Sequence, residues 1–323
     1  MFWRDKMRTF TARENDTGMR MDRFTQKVCP ALPSSLLYKY IRIKRIKVNG
    51  KRTELSYRLS LGDVVDMYIN DEFFDVTEEN AFLKTKICPD VVYEDENIVV
   101  VNKPQGLVVH GDDSGEQINT LISAIKKYLY DKGEFEPEKE NTFVPALCNR
   151  IDRNTGGLVI AAKNAHSLKI MNQKIKDREM DKYYYCLVKG VPKNETGILK
   201  NWLFKDENKK EVKVYDRPGE GRKTAITEYE TVKKYKGFSL VRAKLITGRT
   251  HQIRAQFAHA GNPLLGDGKY GDPKVNATSG MKFQALFSCK IIFKFKTAAG
   301  RLEYLNGKEI SVPLEDILKL WNI

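Results

Sequence analysis

CNRIDRNTGGLVIAAK, residues 148–163, is the stretch that decides the reading. Asp152 stands between Arg150 and Arg153, and Asn154, Thr155, Gly156 and Gly157 follow at once. Two successive glycines allow close backbone approach or a positive φ. LVIAA, 158–162, is a short apolar run after turn residues, the pattern of a buried strand. The segment therefore puts a carboxylate on a tight, glycine-supported turn at the edge of a sheet, among arginines. Taken alone, its plainer reading is an Asx-turn in which Asp152 serves only backbone donors.

A second segment raises the interest of the first. LITGRTHQIRAQFAHAGNPLLGD, residues 245–267, reads as a strand, a turn at Gly248, and a helix capped by Thr250. Ile253, Phe257 and Ala260 form its apolar stripe, and Gly261 is a C-cap signal. Arg249 falls on the turn, His251 in the first helical turn and Arg254 one turn further on. By itself this is a basic helix end with a satisfied histidine.

Around these segments the pattern is mixed. VVYEDENIVVVNKP (91–104) reads as strand, turn, strand, and INTLISAIKKYL (118–129) has helical spacing. HSLKIMNQKIKDREM (166–180) is an amphipathic basic helix, whereas YYYCLVKG (183–190), TAITEYETVKKY (224–235) and FSLVRAKLITG (238–248) alternate as strands do. The fold expected is α+β, a mixed, mostly antiparallel sheet with flanking helices. Nearer the start, Met21, Phe24 and Val28 recur at helical spacing, and Pro30 and Pro33 end that helix. A second helix carries Leu36, Leu37, Tyr40 and Ile41 inward. Its exposed face is read as Lys39, Arg42, Lys44, Arg45 and Lys47. Asn49-Gly50 then signals a hairpin. The domains expected are a polar, basic lead-in (1–17) with a strand as its second reading, a small helix-helix-hairpin unit (18–75), a linker (76–88) and a large domain (89–323).

The 323 residues carry 56 Lys+Arg against 42 Asp+Glu, a formal net charge of +14. The charge is blocked: +8 over residues 1–70, −10 over 71–140 and +16 over 141–323. Two basic blocks fit two surfaces that face a polyanion, since clustered Lys/Arg release counterions condensed on phosphate backbones. An ordinary solvated basic surface is the plainer alternative. No apolar run approaches the roughly 20 residues of a spanning helix, so no membrane is expected. MFWRDKMRTF lacks the apolar stretch of a secretory signal. Five cysteines without a C-x-x-C pair argue against disulfides and a zinc site, and for the reducing cytoplasm. The four histidines show no ligand spacing either, so no metal is expected.

Together the motifs resemble a family. CNRIDRNTGG is similar to the H-R-L-D-x-x-T-S-G signature of RluA-type pseudouridine synthases, and TGRTHQIR (247–254) to that family's second basic motif. EDENIVVVNKPQGLVVH (94–110), KYYYCLVKG (182–190) and FQALFSCKIIF (283–293) resemble its other strands, in the same order over about 88–323. Residues 18–70 resemble the RNA-binding domain first described in small-subunit ribosomal protein four, through R-M-D-R-F (20–24), V-N-G-K (48–51) and L-G-D-V-V (61–65). The chain departs from the family at Asn149 and Gln284, where histidine is usual, and at Gly156, where serine is.

The resemblance implies isomerisation of uridine to pseudouridine in structured RNA, with large-subunit (23S) ribosomal RNA the first expectation. A transfer-RNA substrate, or a non-catalytic RNA-binding or ribosome-assembly factor, are the alternatives. It implies Asp152 as catalytic carboxylate, Arg249 as the residue that orients it through a charge-assisted bond, and Tyr184 as a residue that stacks on the target base. Arg150, Arg153, Arg254 and Lys103 are then candidate phosphate contacts, joined by Arg42, Lys44, Arg45 and Lys47 of the small unit. An isomerisation without net redox change implies no cofactor. A monomer is expected.

Overall fold

A computed structural model describes residues 7–74, 80–111, 118–206 and 211–323. The first unit is a four-stranded antiparallel sheet backed by two helices. Its elements are β1 (Met7–Thr11), α1 (Met21–Val28), α2 (Ser34–Arg42), β2 (Ile46–Val48), β3 (Lys51–Arg52) and β4 (Val64–Tyr68), with strand order β1-β4-β2-β3. Met21 and Phe24 of α1 and Leu37 and Ile41 of α2 bury against Ile46, Val65 and Met67 of the sheet.

This unit differs from its expected outline. Within the lead-in, residues 7–11 form the strand that is its second reading, and they pair with β4, Met7 opposite Tyr68 and Thr11 opposite Val64. Helix α2 stops at Arg42 and Lys44 has a φ of +63°, so Lys44, Arg45 and Lys47 follow the helix instead of sharing its face. Of the expected linker, 76–79 lies outside the described residues. Residues 80–88 do not act as a tether, because Phe82 is buried in the large unit with its ring 5.8 Å from that of Phe135. The small unit is docked on the large one through Asp16, which is fully buried. Its carboxylate accepts hydrogen bonds from Asn141 Nδ2 at 2.7 Å and from Thr142 Oγ1. Asn15 Oδ1 accepts from the Ala165 amide at 2.9 Å, and Lys27 Nζ donates to the Thr142 carbonyl at 2.9 Å.

The large unit is built on an eleven-stranded sheet. In chain order its elements are β5 (Val91–Glu94), β6 (Ile98–Lys103), α3 (Leu121–Asp131), β7 (Ala146–Leu147), β8 (Gly156–Ala162), α4 (Ala165–Lys176), β9 (Met180–Lys189), β10 (Thr196–Asp206), β11 (Glu211–Tyr215), β12 (Lys223–Tyr235), β13 (Phe238–Leu245), α5 (Gln252–His259), α6 (Pro273–Thr278), β14 (Leu286–Phe293), β15 (Glu309–Ser311) and α7 (Leu314–Leu320). The main order is β11-β10-β12-β13-β9-β14-β8-β6-β5, with β15 on β14 and β7 on β8. Among the described residues every pairing is antiparallel except β8 with β14. No helix among them is long and apolar enough to cross a membrane.

Alternation sorts the strands' apolar residues to two covered faces. Val99, Val101, Val159 and Ala161 pack with α3 and α5 on one side. Ile98, Val100, Leu158 and Ile160 pack with Met171 of α4, Phe293 and Leu302 on the other. Burial on both faces explains why LVIAA is apolar throughout. Side-chain caps start the helices at the sheet's edges: Thr120 accepts from the Ser123 amide, and Asn164 from that of Ser167.

Candidate active site

The 148–163 segment builds its turn where β8 meets β14. The Thr155 amide donates to the Asp152 carbonyl at 3.0 Å, and Gly106 N–H donates to the Arg153 carbonyl at 3.0 Å. Gly157 has a φ of +107°, and a Cβ there would lie 2.2 Å from the Ser288 carbonyl oxygen. A side chain at 157 would push β14 away, so the glycine seats the turn against the sheet. Asp152 then opens into a cleft of about 810 Å³, whose walls include Arg150, Lys182, Tyr184, Arg249, His251 and Arg254.

Arg254 holds Asp152. Its Nη1 donates to Asp152 Oδ2 at 2.8 Å, while Nε and Nη2 grip the two oxygens of Asp267 at 2.7 and 2.9 Å. Asp267 has a side-chain exposure of 0 %, against 27 % for Asp152. Burial alone would raise the Asp267 pKa, but Arg254 and the amides of Lys269 and Tyr270 hold it below the usual carboxylate value. Burial likewise opposes the Arg254 charge, and the two carboxylates outweigh it and raise the guanidinium above its ordinary value. The planar fork of arginine suits this role, since one guanidinium can bind two carboxylates in fixed directions.

Helix α5 carries Arg254 and begins at Gln252, not after Thr250: the N-cap is His251, in the left-handed region at a φ of +51°. Buried Gln252 locks that start. Its Oε1 accepts from Thr247 Oγ1 at 2.8 Å and from Arg249 N–H at 3.1 Å, and its Nε2 donates to the Ile226 carbonyl at 3.0 Å. His251 Nδ1 lies 2.8 Å from Tyr270 Oη, and its Nε2 lies 3.8 Å from Asp152 Oδ2.

The structure does not treat all the expected site residues alike. Asp152 and Tyr184 meet in the cleft, and burial pushes the Tyr184 phenol up to about 12. Tyr183 and Tyr185 pack into a different cluster, as strand alternation requires. Arg249 and Arg254 differ from expectation. Arg249 lines the cleft but donates Nε to the Thr224 carbonyl at 3.1 Å, so Arg254 is the partner of Asp152. Arg254, nine-tenths buried between two carboxylates, is not placed for a phosphate contact.

Lys103 is not so placed either. It is fully buried, and its amine donates to the carbonyls of Pro104, Leu107 and Arg153 at 2.9, 2.9 and 2.8 Å. Burial pushes that amine down to about 7, with the Asp152 charge opposing. The three carbonyls also oppose it, since only the ammonium form has three protons to give. Arg150 and Arg153 are exposed beside the acid, with Arg153 Nε bonded to the Gly106 carbonyl at 3.1 Å. In the small unit Arg42 and Lys44 are exposed, whereas Arg45 stacks on Tyr40 at 5.2 Å and Lys47 on Tyr68 at 5.4 Å.

Two departures from the family pattern have structural tasks. Asn149 Oδ1 accepts from the Ile160 amide at 2.8 Å, and Gln284 Nε2 donates to Thr155 Oγ1 at 3.3 Å, so both brace the Asp152 turn. Sequence reasoning missed Asp267 and Tyr270. The G-D-G-K-Y run (266–270) carried the signal, an Asx-turn in which Asp267 Oδ1 accepts from the amides of Lys269 and Tyr270 at 2.9 and 3.1 Å. Among the described residues no group of three or more His, Cys, Asp or Glu side chains could hold a metal ion.

Comparison with known proteins bears on this geometry. Residues 97–259 match the family described as RNA pseudouridylate synthase. A Mycoplasma capricolum protein named "Uncharacterized RNA pseudouridine synthase" is 34% identical over 313 residues, spanning 94% of this chain and 97% of that one. A Vibrio vulnificus protein named "Ribosomal large subunit pseudouridine synthase C" is 31% identical over 278 residues, 85% of this chain and 83% of the other. The solved structure of "Human RNA Pseudouridylate Synthase Domain Containing 4" superposes with a TM-score of 0.55 at 19% identity, covering 72% of this chain and 93% of that one, a likeness of fold.

Proposed function

The chain belongs to the RNA pseudouridylate synthase family, and on that premise we propose that it isomerises uridines of 23S ribosomal RNA with Asp152 as catalytic carboxylate. The observation that carries this reading is the Arg254 fork, which ties an open carboxylate to a closed one. In the reaction uracil leaves its ribose, turns, and rejoins through carbon 5. A carboxylate can start it by attacking the ribose, by attacking the base or by removing a ribose proton. Each route needs a charged group held still beside the glycosidic bond. Arg254 fixes the Asp152 oxygen, and Asp267 fixes Arg254.

Tyr184 lies in the cleft wall and offers a ring to the base. To enter, the uridine must leave its stack, at a cost of a few kcal/mol. Arg150 and Arg249 in the cleft wall, with exposed Arg153 next to Asp152 in the chain, offset that cost as phosphate contacts. Arg42, Lys44, Arg45 and Lys47 extend the same service to the small unit, which we read as an RNA-binding domain. The ribosomal substrate is supported by the name of the Vibrio vulnificus relative and by the two basic blocks of the chain. The isomerisation balances without an electron donor or acceptor.

The test is tritium release from 23S transcripts labelled at carbon 5 of uridine. Wild type should release tritium, and Asp152→Ala should lose at least about a thousandfold in turnover while RNA affinity stays within a few fold. Residual turnover with a large loss of affinity would remove Asp152 from the chemistry. Release from transfer RNA and none from 23S transcripts would move the substrate.

A further inference from the structure

His251 lines the cleft beside Asp152, and the proposed reaction gives it no task. Its left-handed φ of +51° is uncommon outside glycine, although histidine is among the types that adopt it more readily, and such positions cluster at functional sites. The hydrogen bonds around it favour one place for its proton. Tyr270 Oη accepts the Val212 amide at 2.9 Å. A phenol has one proton of its own, and among the described residues the acceptor facing it is His251 Nδ1, at 2.8 Å. Giving that proton to Nδ1 in a hydrogen bond satisfies both groups, and in that arrangement the neutral ring bears its proton on Nε2. Burial, with Arg254 and Lys269 nearby, keeps the ring neutral against the pull of Asp152 and Asp267.

The Nε2–H thus faces Asp152 Oδ2 at 3.8 Å, too far for a direct hydrogen bond. Donor and acceptor are nevertheless close enough for one substrate atom to lie about 2.8 Å from both. That atom must accept from the imidazole and donate to the carboxylate. A carbonyl cannot donate and an imide N–H cannot accept, whereas a hydroxyl does both. Within an RNA chain the 3′ and 5′ oxygens are esterified, so the hydroxyl an interior uridine offers is the 2′-hydroxyl.

We propose that His251 Nε2 and Asp152 Oδ2 together hold the 2′-hydroxyl of the target uridine. His251 is then the residue that ties the site to ribonucleotides, and Tyr270 is a positioning residue that fixes the imidazole tautomer. The proposal rests on Asp152 standing at the reacting nucleotide. It adds a specificity contact that the reaction as such does not require.

Two measurements test it. Nitrogen-15 spectra of the imidazoles, assigned with His251→Gln, should give the Nε2-protonated form for His251 in wild type and a tautomer mixture in Tyr270→Phe. Binding of a stem-loop carrying the mapped uridine is then compared with the same stem-loop carrying 2′-deoxyuridine there. Wild type should prefer the ribo form by about tenfold and His251→Ala by about twofold, the difference expected of one hydrogen bond. His251→Gln, which keeps an N–H near the Nε2 position, should recover part of the preference. A purely structural role would weaken both stem-loops equally. Equal preference in wild type and His251→Ala, or an Nδ1-protonated ring, would overturn the proposal. Wild-type turnover of the ribo stem-loop separates the two ideas. Turnover without coupling defeats the 2′-hydroxyl contact alone, and absence of turnover defeats the parent reading and this one with it.

Discussion

In the small unit Arg42 and Lys44 stand in solvent at and just past the end of α2, whereas in the cleft Arg254 and Lys103 are buried and bonded inward. The residue types are alike and their physical work is opposite. An exposed cation near a phosphate acts by releasing counterions, an effect that salt weakens. A buried cation acts by direction: Arg254 aims one carboxylate by gripping another, and Lys103 gathers three carbonyls beneath the Asp152 turn. On the proposed reading, charge in the first place is a matter of affinity, and in the second a matter of shape.

The contrast can be broken at three points. The largest effect should come from Arg254→Gln, which leaves Asp267 buried without a cation. Stripping one partner from a buried pair costs about 3–5 kcal/mol. The apparent melting temperature should fall by roughly 10 °C, and turnover should fall at least about a hundredfold because Asp152 loses its anchor. A normal melting curve in calorimetry would show that Asp267 does not need the guanidinium.

Lys103→Met should come next. Three carbonyls lose their donor, so stability should drop by about 2 kcal/mol or more, while the salt dependence of RNA binding stays as in wild type. A shallower salt slope would return Lys103 to the phosphate contacts and blur the distinction between the two regions. Smallest in stability is the double change Arg42→Gln/Lys44→Gln. Melting should stay within a degree or two, yet the slope of log affinity against log salt should become shallower by about 1–2. An unchanged slope would mean that the exposed cations of the small unit meet no phosphate.

Much of the cleft was legible in the chain, because its signals are local. Two glycines and an apolar run suffice to place Asp152 on a turn before a buried strand, and strand alternation separates Tyr184 from Tyr183 and Tyr185. The choice between Arg249 and Arg254 was not local. Both lie in one basic motif, and which reaches Asp152 depends on where α5 starts and on Asp267, which the chain brings in from beyond the helix. Lys103 was readable and misread. It falls in phase with Val99 and Val101 on β6, the face that packs inward, so alternation already pointed its amine away from solvent. A strand within 1–17 is one reading of the lead-in, but the pairing of residues 7–11 with β4 was not legible. Four of the five are exposed, and their partner strand lies more than fifty residues away.

The parallel contact of β8 with β14 also has a consequence in time. Gly156 and Gly157 dock on Phe287 and Ser288, separated from them in sequence by more than a hundred residues. The small unit, by contrast, closes with β4, so it can fold while most of the chain is still being made. The turn that carries Asp152 gains its last wall only when β14 arrives, after α5 has supplied Arg254. On the proposed reading, a nascent chain acquires the means to hold RNA long before it acquires the means to alter it, and the two capacities appear in that order each time the protein is synthesised.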